Sequence, residues 1–353
     1  MKKTVAILLA AVMLLSLAAC GGGSTSSAAP ASQAPAGNSS SSQANTPAPA
    51  KDPVVIIAGD PTSESDPGYY ALSVFKDLLE EKTDGRYKVE LYTNQALGNE
   101  VDLIEGLQLG SIGLSLVTVA SVTNYDPDLL IFDLPYLFDG DEHVEKVLFG
   151  DIGDDMLKTI DSNAGIKGLS FFKSGFRTTM TTNRPLTSLA DIQGLKIRTM
   201  ENTMHMECWS ALGADPTPMS FGDAFTALQQ GAIDAFEMLT TSLVDSGVYS
   251  ICKNFCESNH VYTARVLLMN QSIWNAMSAE DQKLVEEEIM PEVVKAFNEY
   301  NESYLAQSIQ KIKDSGMNIT EIDINELREA CQSVYDAHPE YNDMVARIRA
   351  IGK

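Results

Sequence analysis

Between positions 167 and 198 lie six basic residues and one acid. Lys167, Lys173, Arg177, Arg184, Lys196 and Arg198 stand against Asp191, a local balance of +5 inside a 353-residue chain of formal net charge −23. An acidic surface repels anions, so capturing one requires a concentrated positive field. Arginine offers a planar fork of donors that matches a carboxylate bidentately. Arg177 follows a predicted strand and the stretch Ser174-Gly175-Phe176, and Arg198 closes the predicted strand Leu195-Lys196-Ile197-Arg198. Two arginines at strand ends suit recognition of a small organic anion. The alternative is that these cations pair with surface acids, which outnumber Lys plus Arg by 48 to 25. Charge alone leaves both open.

Other constellations are weaker. His205, Glu207 and Cys208 are close in sequence but point in three helical directions, so they read as a solvated or half-buried helix face. Cys252, Cys256 and His260 recur at a spacing of four, which aligns side chains on one helix face. A metal there would need a fourth ligand and an unbroken helix, and a strand predicted from Val261 interrupts it. A Cys252–Cys256 disulfide is the alternative outside the cell, but adjacent helical turns hold Cα atoms near the limit of disulfide reach. A free pair is the simpler expectation. The sequence has no Gly-x-Ser-x-Gly elbow, no His-Glu-x-x-His and no phosphate-cradling glycine loop. Glycoside hydrolysis needs two cleft carboxylates at a set separation, and among 48 acids no pair stands out. No metal or cofactor is expected. Net acidity argues against nucleic acid, whose phosphates demand Lys and Arg, and against electrostatic docking on anionic membranes.

The elements that must position the arginines read as alternating strands and helices. Val54–Ala58 is a short continuous apolar run, typical of a buried strand. Leu72, Phe75, Leu78 and Leu79 recur at helical spacing, and Val89–Tyr92 alternates as a second strand. A helix over Glu100–Leu109 and a strand over Ile112–Val119 follow. This β-α-β-α-β order implies parallel pairing with right-handed crossovers, hence an open α/β fold with ligands at the carboxyl ends of strands. Further strands are predicted over 168–172, 194–198, 232–236 and 261–269. Ser220 and Asp223 start one helix that Gly231 ends, and Ser278 and Asp281 start another that reaches toward Gly316. Pro291 lies inside the latter and should kink or split it. The length exceeds the roughly 250–300 residues of a single core, so two domains are expected.

The first fifty residues are an address and a tether. Lys2 and Lys3 precede an uncharged run from Thr4 to Ala19, a signal-peptide pattern. It ends in Leu17-Ala18-Ala19-Cys20, which resembles a bacterial lipobox whose Cys becomes a lipidated N-terminus. Lipidation anchors without spanning. Residues 21–50 contain no charged side chain and too little apolar surface to offset ordering entropy, so residues 20–51 are expected to be a lipidated, flexible linker. The protein is thus expected to be extracytoplasmic and lipid-anchored.

Several stretches resemble the DctP-type solute-binding subunits of TRAP transporters: Gln95–Glu100, Ile131–Phe138, Gly175-Phe176-Arg177, and most specifically Gly194–Arg198 followed by Ala211–Met219, Phe221, Thr226–Gln229 and Gly231–Asp234. The resemblance covers roughly Val54 to the C-terminus. It implies an α/β, two-domain, periplasmic-binding-protein-like clamp with a long helix spanning both domains. The domains would comprise residues 52–174 with 264–303, and 175–263 with 304–353. It implies a receptor that delivers a carboxylate to TRAP membrane permease subunits, with Arg198 as the carboxylate clamp and Arg177 as a second cation. Thr118 and the loop near Tyr69 would also meet the ligand, with Phe221 as an aromatic wall. The chain departs from the family pattern in two places. The family's ligand-contacting Asn is replaced by Met238, and Thr199-Met200-Glu201 follows the arginine, which draws Glu201 toward the site. A tethered carbohydrate-active hydrolase and a binding protein for an ATP-driven importer are the alternative functions. The long helix and the Lys-Ile-Arg motif favour the TRAP assignment over the importer.

Overall fold

The computed structural model describes residues 52–242 and 246–352. The leader, Cys20 and the linker lie outside the described residues.

Ten strands build the frame: β1 (Val54–Gly59), β2 (Tyr87–Tyr92), β3 (Leu114–Thr118), β4 (Ile166–Thr181), β5 (Lys196–Thr199), β6 (Asp215–Pro218), β7 (Ala235–Leu239), β8 (Asn254–Cys256), β9 (Tyr262–Asn270) and β10 (Asn318–Thr320). Their order is β2-β1-β3-β9-β4-β7-β5-β6, with β8 pairing β4 and β10. The first three strands pair in parallel, as their helical crossovers require. β9 then runs antiparallel to both β3 and β4, so the sheet is mixed. All nine residues of β9 and all five of β3 are buried, which explains their near-continuous apolar character.

β4 is much longer than the five residues predicted from its apolar run. Its segment Ile166–Phe176 pairs with β9, while Arg177–Thr181 pairs with β7 and β8. Between Lys173 and Gly175 the register shifts, and Gly175 takes φ +129°, a conformation open to glycine. The polar stretch Thr178-Thr179-Met180-Thr181 hid this extension, because its hydroxyls are satisfied inside the protein. Thr179 Oγ1, for instance, meets Ser258 Oγ at 2.8 Å. One consequence corrects the sequence reading: Arg177 lies within β4, not after a strand.

The C-terminal helical run extends from Ala279 to Asp314 with one interruption. A π-helical turn, Val285–Ile289, precedes the 25-residue helix Met290–Asp314, in which Pro291 occupies the first turn. The missing proline N–H is absorbed there by the widened turn rather than by a break. At about 37 Å the helix serves two cores. Val293 and Phe297 pack with Phe75 and Phe172, whereas Ile312 packs with Met180, Phe236 and Met238. No helix among the described residues is long and apolar enough to cross a membrane.

Candidate functional site

A cavity with about 770 Å³ of empty space, part of it open to solvent, lies where β3, β4, β5, β7 and β9 converge. It brings Thr118, Arg177, Arg198, Glu201, Phe221 and Met238 together. Tyr69, in the first helix, is half-buried and does not line it.

Arg198 is 3 % exposed. Its Nε donates to the Met219 carbonyl at 2.9 Å, and its guanidinium lies 5.2 Å from the centre of the Phe236 ring. No carboxylate forms an ion pair with it among the described residues. Burial without a counterion pushes its pKa down to about 10, against the pull of Glu237 and with the push of Arg177. A buried cation held this way lacks the partner that an incoming anion would supply.

Arg177 stands differently. Its Nε and Nη2 both donate to the Glu237 carboxylate, Nη2 also reaches the Glu237 carbonyl at 2.9 Å, and Nη1 donates to Thr263 Oγ1 at 3.1 Å. Glu237 is fully buried. Burial opposes its ionisation, yet the Arg177 cation and contacts from His205 and His260 hold its carboxyl well below the usual range. The charge of Arg177 is therefore consumed inside the protein. Lys167 and Lys173 are likewise paired, with Glu286 and Glu145, so the surface-pairing alternative holds for part of the basic window and fails at Arg198.

Beneath the cavity, Glu237 heads a buried polar chain. His260 Nε2 lies 3.2 Å from its carboxylate, and His260 Nδ1 meets Ser258 Oγ at 2.9 Å. The two ring nitrogens of His205 sit 3.5 Å from Glu237 and from Asp133. Burial works against protonation of His205, but Asp133 and Glu237 outweigh it and raise its pKa, whereas burial lowers that of His260. The expectation of a half-buried face for His205, Glu207 and Cys208 is thus corrected. His205 and Cys208 are fully buried, and only Glu207 is partly exposed, bound to His338 at 2.6 Å. Cys252, Cys256 and His260 are not brought together. Cys252 packs with Met180 and Val248, while Cys256 packs with Trp209 and Cys331, because the chain there is turn and strand.

Two site residues escaped the sequence reading. Arg265, central in β9, lines the cavity and is held by both oxygens of Asp66. Glu100 opens the helix Glu100–Leu109, which Asn99 and Asp102 cap reciprocally. Its Oε1 accepts from the Thr118 N–H at 2.8 Å, and its Oε2 accepts from the Thr118 hydroxyl at 2.6 Å and from Ser121 Oγ. The capping pattern Asn99-x-x-Asp102 was a legible signal for a helix start at Glu100, but the placement of that start beside Thr118 comes from tertiary contacts that the pattern does not carry. Arg265 offered none, being one cation in an apolar strand. Part of the lining is apolar, with Met238, which is 2 % exposed, Leu239, Met200 and Phe221. Phe221 is 36 % exposed and packs edge-on against Phe236. Glu201 is exposed at the rim.

The comparisons with known proteins agree with this geometry. Residues 58–341 match the family model described as DctP, bacterial extracellular solute-binding protein, family 7. The chain is 35 % identical over 213 residues to a solute-binding protein of Verminephrobacter eiseniae, an alignment covering 60 % of this chain and 63 % of that one, just under two thirds of its length. It is 30 % identical over 303 residues to the C4-dicarboxylate-binding periplasmic protein DctP of Rhodobacter capsulatus, covering 85 % of this chain and 89 % of the other. A crystal structure of a TRAP periplasmic solute-binding protein from a Polaromonas species, bound to D-erythronate, superposes with a TM-score of 0.79 at 32 % identity. It covers 84 % of this chain and 98 % of that one.

Proposed function

This chain belongs to the DctP family of bacterial extracellular solute-binding proteins, and on that premise we propose that it captures a small organic acid at Arg198 and delivers it to the membrane subunits of a TRAP-type secondary transporter. The observation that carries the assignment is a buried arginine with no carboxylate partner, facing a cavity. A ligand carboxylate would complete the charge-assisted pair that the protein leaves open. Met238, Phe221 and Met200 would contact the remainder of the molecule, so its edge on that side would be apolar. Arg177 would shape the site through Glu237 rather than carry the anion's charge.

The two halves of the molecule would close over the ligand, which requires the ligand to favour the closed state. Their hinge would lie where β4 changes partners, next to the glycine bulge at Gly175. Residues 52–174 with 264–303 would form one half, and 175–263 with 304–353 the other. Cys20 would carry the lipid anchor, holding the receptor at the outer face of the cell membrane beside its permease. Nothing in the described site calls for chemistry on the ligand, and the named relatives bind solutes, so the hydrolase alternative is not retained.

A thermal-shift screen of carboxylates against neutral counterparts tests this function. A ligand at 100 times its dissociation constant adds about 2.7 kcal/mol of stability. Stabilisation by acids such as D-erythronate, absent with the corresponding neutral polyol, is expected. Equal stabilisation by acid and polyol would overturn the assignment.

A further inference from the structure

The cavity holds three arginines, but their charges are not equally available. Arg177 is bound by both oxygens of Glu237, and Arg265 by both oxygens of Asp66. Both acids lie inside the protein, nearly or fully buried. Among the described residues lining the cavity, Arg198 is the single cation without an acidic partner. Two further carboxylates, Glu100 and Glu201, line the same cavity and have no cationic partner within ion-pair distance among the described residues. Glu100 is fixed by three donors from Thr118 and Ser121. A carboxylate offers about four lone-pair sites, so roughly one acceptor position remains, and no donation from the carboxylate is available.

We propose that the cavity accepts one carboxylate, at Arg198, and rejects a second: the ligand is a monocarboxylate that also offers a hydroxyl donor toward Glu100. This rests on the receptor assignment above. A second carboxylate would bring no new cation into play and would face Glu100 and Glu201, a like-charge contact that is costly in a desolvated cleft. A hydroxyl can instead donate to the remaining acceptor position of Glu100. The site thereby separates from dicarboxylate receptors by repulsion as well as by attraction.

The test uses acids that differ only at the terminal carbon: D-erythronate with meso-tartrate, galactonate with galactarate, and pentanoate with glutarate. Binding is measured by calorimetry and by melting temperature, at pH 7.5, on the full globular chain and on Glu100→Gln. The monocarboxylate of a pair should bind roughly tenfold to a hundredfold more tightly than its dicarboxylate. In Glu100→Gln that gap should narrow, with a melting profile confirming that the variant is folded. A dicarboxylate binding as tightly as its partner acid, or more tightly, overturns the proposal and leaves the receptor assignment intact. A gap unchanged in folded Glu100→Gln overturns the role of Glu100. If none of the six acids binds at tens of millimolar, the receptor assignment itself fails, and this inference with it.

Discussion

Arg198 and Arg177 are both buried arginines in one cavity, and their replacement should fail in different ways. Arg198 has no acidic partner, so Arg198→Ala removes a charge that the unliganded protein holds at a cost. Unliganded stability should change little, by the loss of one hydrogen bond to the Met219 carbonyl and of the Phe236 contact, about 1–2 kcal/mol together. Ligand binding should suffer far more. The carboxylate would lose its only uncommitted cation inside a desolvated cleft, at about 3–5 kcal/mol, or two to three orders of magnitude in affinity. Arg198→Lys should also bind poorly, because a point charge cannot replace the fork. Arg177→Ala reverses the pattern: it strands the fully buried Glu237 carboxylate and should cost about 3–5 kcal/mol of folding stability. Urea unfolding gives the stability of each variant and calorimetry with the best acid of the screen gives affinity. Near-native affinity in Arg198→Ala would refute the reasoning. So would a large loss of unliganded stability there with little loss in Arg177→Ala.

Asp60 supplies a pH test. Burial and the neighbouring Asp66 raise its pKa from 3.8 to about 7, so the folded state binds a proton that the unfolded state has lost, and stability falls as pH rises across that window. Asp60→Asn keeps an acceptor for the Thr62 N–H, now at 2.7 Å, without ionising. Its melting temperature should gain progressively on the parent as pH rises from about 4 to about 8; parallel profiles would refute this. Cys20→Ala should leave the chain unprocessed or mislocalised while the globular part from Lys51 onward binds normally. An N-terminus without acyl mass in the parent protein would remove the anchor. Met238→Asn should shift preference toward the hydroxylated member of a pair of acids that differ by a tail hydroxyl or methyl. A ratio of the two affinities unchanged in folded Met238→Asn would sink the apolar-edge assignment.

The frame of the fold was legible wherever a local rule decided it. Val54–Gly59 is the parallel strand expected from its unbroken apolar run, but Val54, Val55 and Ile57 are exposed, so it is not the buried strand that the run implied; the helix over Glu100–Leu109 stands where it was expected. Misplacements came from long-range pairing. β7 runs from Ala235 through Glu237 and Met238 to Leu239, three residues beyond its predicted end at 236, because a buried glutamate breaks the apolar pattern that marks a central strand. β4 was cut short at its threonines for a similar reason. In both places the polar residues belong to the strand since they find partners across the sheet, and a single sequence carries no record of those partners.

The same limit governs the site. A cluster of cations was visible, but which cation remains free for a ligand depends on partners far along the chain. Arg177 is neutralised by a residue 60 positions away and Arg265 by one 199 positions away. Arginine content therefore identifies an anion site, while the accounting of buried acids identifies how many anionic groups it can hold. Here Glu237 and Asp66 remove two of the three positive charges before a ligand arrives. What remains is one cation opposed by Glu100, and that residual balance, rather than the number of arginines, sets the charge of the molecule the cavity can bind.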